Sequence, residues 1–257
     1  MTDDETIARH LLEAWRAKTP HANLSGDLAP DDLDHAYRVQ GQLQDLFVVE
    51  RGPLVGRKIA LSSKPMQQMI GIDHPIAGAF FVRDVHQSPA RVSGASFGHM
   101  GLECELALEL GADADAPEAY TPESAGELVS AARPAFELIE DRGADYAALD
   151  VLSLAADNAW CGGVVLGPVL PGFDIAAIND MPAQLSQPGQ PDEDAVTGAA
   201  DPLGSLAWVL NHFRNRGNPV KKGESVITGS VVRTRFPVAG DRFRYEIAGT
   251  AVELEIT

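Results

Sequence analysis

Apolar and polar positions change rhythm along the chain, and the rhythm predicts its elements. Over residues 3–18, Ile7, Ala8, Leu11, Leu12 and Trp15 recur at helical spacing, the stripe of an amphipathic helix. LAPDDLDHAYRVQGQLQDLFVVERG reads as a second helix, opened by P-D-D-L, with Asp31, Asp32 and Asp34 at the positive end of its dipole. From about residue 54 strands take over. PLVGRKIALSS predicts a strand ending in a polar turn, PMQQMIG a short helix closed by Gly71, and GIDHPIAGAFFV a turn-rich loop feeding another strand. In GLECELALEL, Leu102, Cys104, Leu106, Leu108 and Leu110 form one face of a strand, and Glu103, Glu105 and Glu109 lie on the other. A helix is predicted over roughly 122–132, then a strand in RPAFELIEDR. CGGVVLG, SVITGSVVRTRF, DRFRYEIAG and TAVELEIT read as further strands, with one helix among them, LGSLAWVLNHFRNRG. QLSQPGQPDEDAVTGAADP reads as a polar surface excursion. The expected organisation is α+β: a helical N-terminal region over 1–53 and a β-rich domain over 54–257.

Composition narrows the partners. With 257 residues, 45% of them apolar, the chain can bury a full core. A net charge of −17 disfavours nucleic acid and anionic membranes, both of which need a basic footprint. The acidic start MTDDETIARHLLEAW is unlike a secretory signal and no stretch is apolar enough to span a bilayer, so a cytoplasmic protein is expected. Cys104 and Cys161, both in apolar contexts, read as packed thiols.

The acids carry the chemistry. Glu103 and Glu105 side by side, with a buried layer behind them, are either a solvated outer face or a pair of hard-cation ligands. A cation such as Mg²⁺ takes oxygen ligands, so a third carboxylate is expected, and Glu137 between apolar neighbours supplies one. Lys58, inside an apolar strand, is a natural counter-charge, and a proton-transfer group if burial lowers its pKa. Asp157 and Asn158, before a Gly-rich strand entry, read as a turn or as part of a site. His35 belongs to a surface helix or to a lid over substrate, and His212 near a helix end complements the helix dipole. Arg233 and Arg235 are exposed strand residues or partners of a distal carboxylate.

The segments GRKIALSS…MQQMIGIDHP, LECELALEL, PAFELIEDR, AADNAWCGGVVLG, LGSLAWVLN and VITGS, in this order across residues 30–257, resemble the 2-keto-4-pentenoate hydratases. These belong to the fumarylacetoacetate-hydrolase superfamily, together with the 4-oxalocrotonate decarboxylases. The resemblance implies a mixed, rolled β-sandwich with a helical N-terminal segment, assembled as homo-oligomers, and association with a paralogous hydratase or decarboxylase. It implies that Glu103, Glu105 and Glu137 hold Mg²⁺ or Mn²⁺, with Lys58 beside the metal. Asp157, Asn158, Thr228, Gly229, Ser230 and Arg142 match family positions near the substrate. Three departures stand out. Ile76 replaces an acid of the family pattern, leaving Asp73 and His74 as the nearby groups that could move protons. His99, Met100 and Gly101 replace Q-P-R. Trp160 stands where a small residue is usual and narrows the pocket.

The implied chemistry is metal chelation of a 2-keto acid and hydration of a 2-hydroxy-2,4-dienoate from aromatic meta-cleavage. Decarboxylation or C–C hydrolysis through the same electron sink, or service as a non-catalytic paralogue subunit, are the competing readings.

Overall fold

The computed structural model describes residues 2–257. Its helices are α1 (Asp4–Ala17), α2 (Leu33–Arg51), α3 (Lys64–Ile70), α4 (Pro122–Gly126), α5 (Val151–Ala156) and α6 (Pro202–Asn215). Its strands are β1 (Leu54–Ala60), β2 (Ile76–Phe81), β3 (Val85–Gln87), β4 (Ala90–Val92), β5 (Met100–Leu110) and β6 (Val129–Glu140), followed by β7 (Cys161–Leu166), β8 (Pro182–Ser186), β9 (Glu193–Val196), β10 (Ser225–Ile227), β11 (Arg242–Ile247) and β12 (Thr250–Ile256). They form a seven-stranded sheet in the order β2-β1-β10-β5-β6-β7-β3 and a five-stranded sheet in the order β4-β12-β11-β8-β9. Among the described residues, no helix is long and apolar enough to cross a membrane.

The alternation in β5 explains how the sheets meet. Leu102, Cys104, Leu106 and Leu108 are essentially fully buried and join one apolar cluster with Phe136 of β6 and Phe243 and Tyr245 of β11. The Phe136 ring lies 6.1 Å from Tyr245 and 6.5 Å from Phe243, so these faces form the filling of a two-sheet sandwich. The acids of β5 therefore point away from the sandwich, toward the helical side.

That side has its own core. Ile7, Leu11 and Trp15 of α1 and Leu43 and Phe47 of α2 pack with Ile76 and Phe81 of β2 and Leu154 of α5. Gln40 of α2 donates to the carbonyls of Ala77, at 2.8 Å, and Ala155, at 2.6 Å, tying the helical region to the sheet edge through otherwise orphaned backbone groups.

The architecture is the expected sandwich with a helical N-terminal region, but three local expectations are corrected. The helix predicted over 122–132 stops after little more than a turn, and the chain enters β6 at Val129. Ala131 and Ala132 pair with Glu109 and Leu108 of β5, and that ladder outweighs the helical preference of alanine. SVITGSVVRTRF is not one strand: β10 ends at Ile227, Gly229 takes φ +99°, and the rest follows β5 through scattered hydrogen bonds and an isolated bridge between Leu102 and Arg235. The polar stretch over 184–202, expected as a surface excursion, carries most of the paired ribbon of β8 and β9.

Candidate active site

Glu103 of β5 stands directly opposite Glu137 of β6 in the antiparallel ladder, and Glu105 lies two residues along the same face. Oxygens of all three fall within 4.8 Å of one another. Glu105 and Glu137 are 0% exposed, which removes the solvated-face reading for them. Glu103 is half-buried and opens onto a cavity of about 570 Å³. Lys58 reaches this cluster from β1, across β10, placing its Nζ 3.0 Å from Glu137 Oε1 as an ion pair.

Three carboxylates against one ammonium make an unbalanced buried group. Burial raises Glu105 well above the carboxylate range; Glu137 and Glu103 push it further, and Lys58 and the Gly229 N–H oppose them. Burial raises Glu137 too, with Lys58 pulling it back. For Lys58, burial works to lower the pKa, but the Glu137 charge leads a set of anions that outweighs it, so the ammonium is held above its ordinary value. The lowering by burial on which a proton-transfer role is conditioned is therefore outweighed, and Lys58 stands here as the counter-charge of Glu137.

The residues fit a hard divalent cation. Glu105 Oε1 and both Glu137 oxygens lack a hydrogen-bond partner among the described residues, the Lys58 contact lying outside hydrogen-bond directions. Orphaned, all-oxygen, mutually repelling ligands are what such an ion satisfies. Two further oxygens are fixed: Glu105 Oε2 accepts from Gly229 N at 2.7 Å, and Glu103 Oε1 from Thr234 Oγ1 at 2.5 Å. Gly229 is required at its position, because a Cβ there would sit 2.7 Å from Ser62 Oγ at a positive φ.

Strained backbone borders the cluster. Asn158, Ala159 and Trp160 take φ of 53°, 46° and 56°, three successive left-handed residues that cost about 1–2 kcal/mol each. The Asn158 amide holds them, accepting from Ala79 N at 2.9 Å and donating to Ala79 O at 2.8 Å. In return the Ala159 carbonyl accepts from Lys58 Nζ at 3.1 Å, so the strained turn aims the ammonium. Trp160 lines the cavity. Gly78 allows the approach, since a Cβ there would stand 2.4 Å from the Asn158 carbonyl oxygen.

The structure gathers some sequence-flagged residues around the cavity and sets others apart. Lys58, Glu103, Trp160 and Ser230 line it, as does Arg233. Ser230 also exchanges contacts with the β5 backbone, accepting from Cys104 N at 3.1 Å. Thr228 is buried and donates to Leu106 O at 2.9 Å, a backbone tie. Asp157 and Arg142 form a buried ion pair, and Asp157 Oδ1 accepts from Trp15 Nε1 at 2.6 Å, so they anchor α1. Ile76 is fully buried in the helical-side core. Asp73 is exposed, its carbonyl accepting from Lys64 Nζ at 3.1 Å. His35 is buried at the α1–α2 seam, with Nε2 3.1 Å from Asp4 Oδ1, and does not line the cavity. His212 is corrected: burial, then Arg216, lowers its pKa to about 3, so it is a neutral ring stacked on Trp208 rather than a charge on the helix end. Arg235 pairs with Glu193. Both cysteines are buried, with burial raising their pKa values, and neither is bonded.

Tyr146 and Glu193 also line the cavity, and nothing in the sequence pattern pointed to either. Tyr146 follows β6 in a loop with no periodicity. Glu193 belongs to the ribbon that reads as mere polar surface.

No family model matches the chain. It is 30% identical over 251 residues to the 2-keto-4-pentenoate hydratase of Paraburkholderia xenovorans (strain LB400), covering 95% of this chain and 91% of that one. It is 29% identical over 254 residues to the 2-hydroxyhexa-2,4-dienoate hydratase of Comamonas testosteroni, covering 95% and 94%. Among solved structures, 4-oxalocrotonate decarboxylase from Pseudomonas putida G7, complexed with magnesium and adipate, superposes with a TM-score of 0.89 at 21% identity, over 99% of this chain and 97% of that one. That likeness establishes the fold.

Proposed function

Because the chain belongs to the 2-keto-4-pentenoate hydratase family, we propose that its cavity hydrates a 2-hydroxy-2,4-dienoate, or its 2-keto-4-enoate tautomer, in the meta-cleavage breakdown of aromatic compounds. It is accordingly a lyase. The observation that carries the reading is the converging trio Glu103, Glu105 and Glu137, with unsatisfied oxygens on Glu105 and Glu137, Glu103 lining the cavity and Lys58 paired with Glu137.

Mg²⁺ is the ion proposed for these three ligands, with Mn²⁺ sharing the same donor preference. Bound there, such an ion supplies a Lewis acid that stabilises negative charge on the keto oxygen of a 2-keto acid. The protein's own groups do the rest. Lys58 Nζ, held between Glu137 and the Ala159 carbonyl, presents a proton to the substrate as its dienol becomes the keto form. Trp160, Ile139, Leu149 and Leu154 line the cavity and shield the conjugated tail from bulk water. Arg233 offers a cation at the same wall. Asp157, Asn158 and Arg142 support this wall from behind, and Asp73 and His35 are not among its lining residues.

The test is direct. Purified chain loaded with Mg²⁺ should bleach the dienoate absorbance and yield a 4-hydroxy-2-keto acid carrying one oxygen from H₂¹⁸O. Release of CO₂ without oxygen incorporation would replace the hydratase reading by the decarboxylase one. Assembly into homo-oligomers, with or without a paralogous subunit, belongs to the same proposal and is read by light scattering.

A further inference from the structure

Tyr146 lines the cavity together with Glu103 and Trp160. Its hydroxyl donates to Asp141 Oδ2 at 2.9 Å. Asp141 is 0% exposed and its other oxygen is occupied as well, accepting from Gly143 N at 2.8 Å and contacting His99 Nδ1 at 2.6 Å. His99 is held in turn by its backbone N–H, which donates to Glu140 at 3.1 Å, and by Phe236 stacked on its ring at 5.0 Å. The Trp160 ring packs edge-on against Tyr146, centroids 5.8 Å apart, so the phenol has little freedom to turn.

A phenol has one O–H to give and lone pairs to accept with. Here the O–H is committed to a buried carboxylate, so what Tyr146 offers the cavity is an acceptor only. A group seated against it must be a donor; a carboxylate or keto oxygen would meet lone pairs. Resting on the hydratase reading, we propose that Tyr146 Oη receives an O–H of the attacking water and aims that water's oxygen at the distal double bond, with Asp141 and His99 as positioning residues.

The balance is simple. Addition forms one C–O and one C–H bond, and breaks one O–H bond and the π bond; Lys58 Nζ gives the proton of the new C–H bond, and the proton leaving the water restores the ammonium. The hydrogen held by Tyr146 is the one that stays on the new hydroxyl, so Tyr146 neither gains nor loses a proton. Burial, then the Asp141 charge, raises the phenol's pKa above its ordinary value, consistent with a residue that keeps its proton. His99 and Asp141 thus have a use that neither the three ligands nor Lys58 explains.

The experiment separates two steps of one reaction: dienol-to-keto conversion, followed by absorbance, and hydration, followed by ¹⁸O incorporation. Tyr146→Phe should bind Mg²⁺ and convert the dienol as the parent does, yet form hydrated product about 100-fold more slowly. Asp141→Asn should show the same split while keeping Tyr146, because the new amide donates to Oη and turns the phenol O–H into the cavity. Thermal unfolding identifies any variant that merely misfolds; for Asp141→Asn, Tyr146→Phe then carries the test. Hydration by Tyr146→Phe within threefold of the parent overturns the proposal. So does an equal loss of both steps. A parent chain that converts no dienol at all removes the hydratase reading itself, visible before any variant is made.

Discussion

Replacing Asp157 by asparagine separates an anchor from a substrate ligand. Asp157 is fully buried, pairs with an Arg142 that is 3% exposed, and accepts from the Trp15 indole at 2.6 Å. Asparagine keeps the shape and an acceptor for Trp15 but leaves the guanidinium buried without its counter-charge. Breaking one half of a buried pair costs about 3–5 kcal/mol, and the retained acceptor favours the lower figure, about 3 kcal/mol. For a chain of this length that lowers Tm by roughly 6–12 °C. The assay is thermal unfolding of parent, Asp157→Asn, Arg142→Met and the double variant, with KM for the dienoate measured well below each Tm. Expected are a large loss in each single variant, a double variant less destabilised than their sum, and KM within about twofold of the parent. A single variant that melts within about 2 °C of the parent while its KM climbs tenfold would refute the reasoning. Asp157 would then be touching substrate, not holding α1.

Other expectations bear on the metal site and on pH. Glu105→Gln should weaken Mg²⁺ binding at least about tenfold, or about 1.4 kcal/mol, by calorimetry. In EDTA the same variant should melt above the parent, because it removes a buried carboxyl whose ionisation burial and the Glu137 and Glu103 charges oppose; a lower apo Tm contradicts this. Gly229→Ala should also weaken Mg²⁺ binding, since a Cβ 2.7 Å from Ser62 Oγ displaces the N–H that fixes Glu105; unchanged affinity would show that this donor is dispensable. His212 binds its proton more weakly folded, near pH 3, than at its ordinary 6.5, so its contribution is full above 6.5 and is lost as pH falls toward 3. Between pH 7 and pH 5 this amounts to about 2 kcal/mol of stability. His212→Gln should flatten the Tm–pH slope in that window, and an unaltered slope would mean the ring is not buried neutral.

What was legible in the chain was what short-range pattern encodes. The alternation of β5 placed the Glu face, and the stripe in residues 3–18 located α1 with its buried Ile7, Leu11 and Trp15. The resemblance brought Glu137 and Lys58 to that face from distant segments, which no local period could do. The rest depended on long-range partners. Nothing around Asp157 or Arg142 distinguishes a pocket residue from one paired beneath the wall, and only the arrival of Trp15 from 142 residues away decides it. Alanines at 131 and 132 read as helix until β5 stands beside them. His35 reads as a surface or lid residue because Asp4, its neighbour in space, lies on another helix. Tyr146 sits in a loop, where sequence carries no period, and its chemistry comes from the Asp141 it meets.

The left-handed turn at Asn158–Trp160 ties the Lys58 ammonium to the far end of the chain. Its amide clasp also receives Gln44 of α2, at 3.0 Å, so the first fifty or so residues brace the geometry that points Lys58. Shortening the protein to its sandwich would keep Glu103, Glu105 and Glu137 and still let that turn relax into an ordinary conformation. A minimal scaffold borrowed from this molecule therefore has to take both opening helices with it.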